Sequence, residues 1–294
     1  MSRFSSRSRR AALAGLLLLA GPAAAQGPPP PPPPPPASMT PPPAPAPMTP
    51  PAVLPPPAPL APPALAAPVV DPQVTALFKQ TIAAHQALKA LTGTVTVTAM
   101  QQGQTITRTV TLAYQKPNRA KVAVMGSAGP IVQFLSNGKT VTIYLVKNKT
   151  YQVQPVPPGT DMVPIVLNQA NALLPRLLGH PEALNELLVQ PGLTAVLRPA
   201  ATPAKTVGGT TVDTVVATLP APGGSRGTFT FDIGQTDHLL RQITENAVLT
   251  SSGKLQPFTE TETVTALSAT PALTDADFAF TPPLGTTKLI APAK

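Results

Sequence analysis

Apolar residues change spacing three times along this chain. Between Asp71 and Gly93, Val74, Leu77, Phe78, Ile82, Leu88 and Leu91 recur at three- and four-residue steps, which predicts one apolar helical face. Asp71 suits the N-cap, Pro72 the first turn and Gly93 the exit. The period then falls to two. "TVTVTAM" and "TITRTVTLAY" flank Gln102-Gly103, "RAKVAVM" follows the Lys116-Pro117-Asn118 corner, and "IVQFLS" and "KTVTIYLV" flank Asn137-Gly138. "TYQVQ" returns after Lys147-Asn148-Lys149, so the stretch reads as an antiparallel meander of hairpins.

A leucine- and alanine-rich stretch, "DMVPIVLNQANALLPRLLGHPEALNELLVQPG", interrupts the strands. Pro164, Pro175 and Pro181 divide it into short helical pieces. A membrane-spanning helix is excluded because Asn168, Gln169, Asn171 and Arg176 would have to enter hydrocarbon. The pieces either plug a core or close a cavity. Strand patterns resume with "LTAVLR", "TVDTVVATL", "RGTFTFDI", "HLLRQITENAVLT" and "FTETETVTALSA", with turns at Gly208-Gly209, Gly223-Gly224 and Gly253. In "FAFTPPLG", Phe278 and Phe280 fall on one face of a last strand that Pro282-Pro283 ends. The whole describes an α+β domain: about ten strands in a large curved sheet, an N-terminal helix and a central helical insertion.

What precedes Asp71 has no such pattern. "MSRFSSRSRR" is basic, "AALAGLLLLA" is apolar and Ala23 to Ala25 fit a cleavage site, so residues 1–25 read as a secretory signal cut near Ala25. No cysteine follows it for a lipid anchor. Residues 26–70 are proline and alanine with a few small or apolar residues, beginning with the run Pro28 to Pro36. Such a segment neither pairs in a sheet nor continues a helix, and is expected to be a disordered, extended spacer. Residues 71–294 are left as one folded domain.

Four of the 21 basic residues (Arg3, Arg7, Arg9 and Arg10) lie in the leader, leaving 17 against 12 acids. The excess is mild, scattered and poor in neighbouring aromatics, which argues against nucleic acid and leaves weak attraction to anionic membrane surfaces. Without cysteine an exported chain has no disulfides and depends on its packed core.

Catalytic signals are poor. His85, His180 and His238 are far apart and show no paired-ligand spacing, so no metal or cofactor is expected. His85, beside the apolar helical face, reads as a boundary packing residue. No GxSxG elbow or phosphate-binding glycine loop occurs. Asp275 and Asp277 read as a turn leading into a strand, and Glu260 and Glu262 as the solvated face of an amphipathic strand. Asn148 in "NKT" matches a glycosylation sequon and reads as a polar hairpin turn.

Binding remains, and here the order of motifs matters. "YQKPNRAKV", "SNGKTVTIYLVKNKTY" and "DADFAFTPPLG" resemble, in sequence and spacing, the basic-Pro-Asn corner, the "DGK" hairpin with a following tyrosine, and the C-terminal Phe-x-Phe-x-Pro-Pro-x-Gly signature of the LolA-like periplasmic lipoprotein carriers. The resemblance covers the chain from Asp71 onward. It implies an incomplete, strongly curved antiparallel β-barrel with a helical lid, and a monomeric carrier that shelters lipoprotein acyl chains or lipid in transit to the outer membrane. It also implies cavity roles for Tyr114, Phe134, Tyr144, Phe229, Phe231, Phe278 and Phe280. Lys116 stands where the family's corner carries an arginine that holds the lid shut, and a point charge is a less directional latch than a planar fork. Asn137 and Thr142 replace an aspartate and a tryptophan common in the family. A carrier needs an apolar interior and no catalytic group, since each buried acyl methylene is worth about 0.8 kcal/mol. An envelope interaction or sensor module on the same fold, tethered by the proline arm, is the alternative.

Overall fold

The computed structural model describes residues 66–201, 203–220, 226–251 and 254–290. The leader, nearly all of the proline-rich segment, and the turns expected at Gly223-Gly224 and Gly253 lie outside them. Helix α1 (Pro72–Ala87) begins where its cap predicts: Asp71 Oδ1 accepts the Gln73 N–H at 2.8 Å and Pro72 takes the first position. Its buried face is Val74, Leu77, Phe78, Thr81, Ile82 and His85. The helix ends at Ala87, not at Gly93, and Leu88 is already extended. Gly93 lies inside strand β2 (Ala90–Gln101) opposite a register shift, where an added Cβ would sit 3.2 Å from the Ala266 carbonyl oxygen. The glycine serves a close strand approach rather than a helix exit.

The meander follows as β3 (Gln104–Gln115), β4 (Arg119–Gly126), β5 (Gly129–Asn137), β6 (Thr140–Leu145) and β7 (Thr150–Pro155). The β5–β6 turn forms as Asn137-Gly138 predicts, with Gly138 at a φ of 88° and Asn137 Oδ1 accepting the Lys139 and Thr140 N–H groups. Three short helices come next: α2 (Met162–Asn168), α3 (Leu173–Gly179) and α4 (Ala183–Leu188). Pro164 and Pro175 do not divide them. Each is the third residue of its helix, where a backbone N–H has no intrahelical partner anyway; only Pro181 separates two pieces.

Strands β8 (Thr194–Leu197), β9 (Thr206–Val207), β10 (Thr210–Pro220), β11 (Arg226–Gly234), β12 (Leu240–Ser251) and β13 (Lys254–Ser268) complete the chain's second half. Two further pairs are added by β1 (Val69–Val70) and β14 (Thr287–Lys288). Among the described residues all fourteen belong to one curved, unclosed sheet in the order β1-β8-β10-β11-β12-β13-β2-β3-β4-β5-β6-β7-β14, with β9 paired to β10. The count exceeds the expected ten partly because β1, β9 and β14 are two residues long. The β13–β2 pairing joins the two halves. Strand β1 shows that ordered structure begins before Asp71: Val69 and Val70 pair with Thr194 and Ala195.

Pleating divides the sheet into two faces. One carries Val95, Val110, Leu112, Tyr114, Val122, Phe231 and Ile243, and packs with α1, α2 and α3 into the main core. The other carries Leu135, Thr142 and Tyr144, which are buried outside that core. There the C-terminal segment forms the cover. Phe278 and Phe280 are not on a strand: Asp275–Phe278 is a 3-10 turn, and the chain stays irregular through Phe280 and Pro282-Pro283. A capping box is the cause, with Thr274 N–H donating to Asp277 Oδ2 at 2.7 Å.

Candidate ligand-binding face

The helix-covered face is built from alternate residues of the central strands. Tyr114 (β3), Phe229 and Phe231 (β11) are buried there, and Phe134 (β5) is half-buried against the same core. Phe231 meets Phe78 of α1 edge-on, centroids 5.5 Å apart at 79°, and lies 6.4 Å from Phe229. From the insertion, Val163, Val166, Leu167, Leu174 and Leu178 join the same core with essentially no exposure. Burial leaves the Tyr114 hydroxyl without a hydrogen-bond partner and pushes its pKa up.

Polar side chains fasten the helices at their ends. Glu262 of β13 accepts the Leu173 N–H at Oε1 and the Leu174 N–H at Oε2, both at 2.6 Å, capping α3. It is 2% exposed, which overturns the expectation of a solvated glutamate face. Burial pushes its pKa up to about 8; the two N–H bonds oppose the shift, and the charge and hydrogen bond of Glu260 add to it. Glu260 also lies 3.8 Å from Arg108, whose guanidinium donates to the Asn171 carbonyl oxygen just before α3. Burial, with the Glu260 charge, raises Glu245 as well. Asp161 caps α2 through the Val163 N–H at 3.0 Å.

Lys116 fastens α1. Its Nζ donates to the carbonyl oxygens of His85 (3.2 Å) and Gln86 (3.1 Å), at the helix end where a cation complements the dipole. Burial lowers the Lys116 pKa, while the Asp161 and Glu182 charges raise it. His85 is fully buried rather than at a boundary, and its Nε2 accepts the Leu240 N–H at 3.2 Å. Burial first, then the Lys116 charge, lowers its pKa to about 4. The remaining acidic candidates are structural: Asp275 pairs with Arg119 at 2.6 Å and Asp277 closes the capping box. Asn148 is exposed in the β6–β7 turn.

The expected aromatic set is therefore split. Tyr144, Phe278 and Phe280 lie on the opposite face, where Phe280 packs 5.5 Å from Tyr144 and 5.2 Å from Tyr151. A cleft of about 250 Å³ opens beside them, lined by Thr142, Val153, Phe278, Phe280, Pro282 and Lys288 among others. Another, of about 290 Å³, lies on the insertion's surface between Pro164, Ile165, Arg176 and His180. Among the described residues no group of three His, Cys, Asp or Glu is placed to hold a metal, and no helix is long and apolar enough to cross a membrane.

The two roles that sequence reasoning missed were legible in part. Phe258, Glu260, Glu262 and Val264 share one strand parity, so the flanking apolar pair marks the glutamates' face as the inward one. Thr274-x-x-Asp277 is likewise the signature of a capped helical turn.

The architecture is that of an open, curved, mostly antiparallel sheet with one apolar face under short helices. More narrowly, the chain belongs to the family described as predicted periplasmic protein (DUF2092), which matches residues 75–290. MucB is similar in structure at a TM-score of 0.41 and 12% identity, over 73% of this chain and 64% of that one, so the chain spans less than two thirds of MucB. An uncharacterized conserved protein from Thermus thermophilus is similar at a TM-score of 0.40 and 10% identity, over 74% of this chain and 98% of that one. LprF from Mycobacterium bovis is similar at a TM-score of 0.37 and 14% identity, over 74% and 99%. No curated protein matches the sequence.

Proposed function

We propose that this chain is a periplasmic, non-catalytic binding protein that shelters an apolar ligand of the acyl-chain class between the curved sheet and helices α2 to α4. The domain that does so is residues 71–294 together with the short strand before it, exported by the leader and set apart by the proline-rich segment. One observation carries the reading. The sheet face beneath α2 and α3 is largely apolar, carrying Val95, Val110, Leu112, Tyr114, Val122, Ile243 and Phe231, and its polar members Glu262 and Arg108 are turned to the helix ends, in the contacts Glu262–Leu173/Leu174 and Arg108–Asn171, as Asp161 is to Val163. Helices of six or seven residues have little stability of their own, so they can lift as a unit once those few contacts break. Lifting them exposes the residues that make an acyl-chain site: Tyr114, Phe134, Phe229 and Phe231 below, Leu174 and Leu178 above.

Family membership supports the compartment. The ionisable groups at the helix ends support binding over turnover, because Glu262, Arg108 and Lys116 are each engaged with backbone. Lipid extraction and mass spectrometry of the purified protein, with titration of a fluorescent fatty-acyl probe, test the proposal. Co-purified acyl lipid, or saturable probe uptake competed by unlabelled fatty acid, is expected. A protein that is empty and takes up no probe overturns it.

A further inference from the structure

In a meander every second turn falls at the same end of the sheet, and here the turns after β2, β4 and β6 share one end with the last residues of β10 and β12. Seven large apolar residues lie at this end: Met100, Ile106, Met125, Ile131, Leu145, Val248 and Leu255, each between 38% and 70% exposed. The stretches 100–106, 125–131 and 145–150 contain no aspartate or glutamate, but hold Lys147 and Lys149. The opposite end mixes signs, with Lys116, Arg119, Lys139, Asp161, Asp237 and Arg241 in or beside its turns. The acids nearest the apolar end, Glu245 and Glu260, are set back within the strands and partly buried.

An end that is both apolar and free of acids fits one surface in particular. We propose that this end of the half-barrel docks reversibly on an anionic phospholipid bilayer, with the apolar turn residues entering the interface and the lysines meeting phosphate headgroups. Interfacial binding grows with buried apolar area plus attraction to anionic lipid, and lysine stems can lie along the apolar surface while their ammonium groups reach the headgroups. Docking rests on the binding reading above for its purpose, since a sheltered acyl chain has to be exchanged with a membrane. Its readout does not require a ligand.

Flotation of the purified chain with vesicles of phosphatidylglycerol and phosphatidylethanolamine, against phosphatidylcholine alone, tests it. Flotation with the anionic vesicles only, weakening as salt is raised, is expected. Lys147→Ala with Lys149→Ala should lower the apparent affinity roughly twentyfold, at about fivefold per lysine, and Met100→Glu with Met125→Glu by roughly tenfold or more. Lys139→Ala, at the other end, should change nothing. Acyl-probe uptake without vesicles should survive in both double variants, which separates failed docking from failed ligand binding. No flotation with anionic vesicles at low salt overturns the proposal, as does equal flotation of wild type and both double variants.

Discussion

Glu262 and Leu174 are joined by a 2.6 Å hydrogen bond across 88 residues, from a helix N-terminus in the insertion to the middle of the sheet. With the matching bond to Leu173, it makes one buried carboxylate the anchor of α3. Glu262→Ala leaves two N–H groups without their acceptor under a closed core, and should cost about 2 to 4 kcal/mol in denaturant unfolding. Hydrogen exchange at Leu173 and Leu174 should quicken before the rest of the domain responds. A variant as stable as wild type would remove Glu262 from the anchoring role.

The same side chain sets an alkaline limb. Its folded pKa, raised to about 8, exceeds the ordinary 4.5, so between those values the folded state holds a proton that the unfolded state has released. Stability from this group is complete below pH 4.5 and lost as pH rises toward 8. Between pH 6.5 and 8 the loss amounts to about 2 kcal/mol. Glu262→Gln, which keeps one acceptor and cannot ionise, should flatten that limb. Thermal melts of both proteins across the window check it.

How legible this anchor was depends on what alternation can say. The strands themselves were plain, because threonine and valine at period two leave no competing element, and Asp71-Pro72 marked the start of α1 to the residue. Alternation in "FTETETV" also put Glu260 and Glu262 on one face. Which face was a question of register against β2 and β12, a long-range matter settled by Phe258 and Val264 rather than by the glutamates' own polarity. Phe278 and Phe280 went wrong for a different reason. Their spacing is strand-like, but a local side-chain cap from Asp277 to Thr274 wins over the pattern and sends the segment across the outer face.

His85 gives an acid limb of opposite sign. Its folded pKa near 4 lies below the ordinary 6.5, so the unfolded state takes up the proton first as pH falls, and stability is lost from pH 6.5 down to 4, by about 3 kcal/mol. His85→Gln can retain an acceptor for the Leu240 N–H without ionising, so wild type should lose this amount relative to the variant over that window. Lys116→Ala removes a charge that helps hold His85 neutral, so the folded pKa of His85 rises toward 6.5 and the acid limb should become smaller and end at a higher pH. It also frees the His85 and Gln86 carbonyl oxygens at the end of α1, at a cost of about 1 to 2 kcal/mol at pH 7. A Lys116→Ala protein with unchanged stability and an unchanged acid limb would dissociate Lys116 from both.

The two faces of the sheet should separate in function as they do in packing. Phe231 is 1% exposed on the helix-covered face against Phe78, and Phe280 sits on the other face between Tyr144 and Tyr151. Removing the Phe231 ring should cost about 3 to 5 kcal/mol, the range for large-to-small changes in a closed core, whereas Phe280, half-buried, should cost less. Stability alone cannot distinguish a ligand face from an ordinary core, so the decisive measurement is uptake. Phe231→Leu keeps most of the volume and should stay folded while altering the affinity for a fatty-acyl probe. Phe280→Ala should leave that affinity unchanged, because its neighbours belong to a cluster with no side chain in the main core. If Phe280→Ala abolishes uptake and Phe231→Leu does not, the ligand lies in the cleft beneath the C-terminal segment, and the helices are a fixed part of the core instead of a lid.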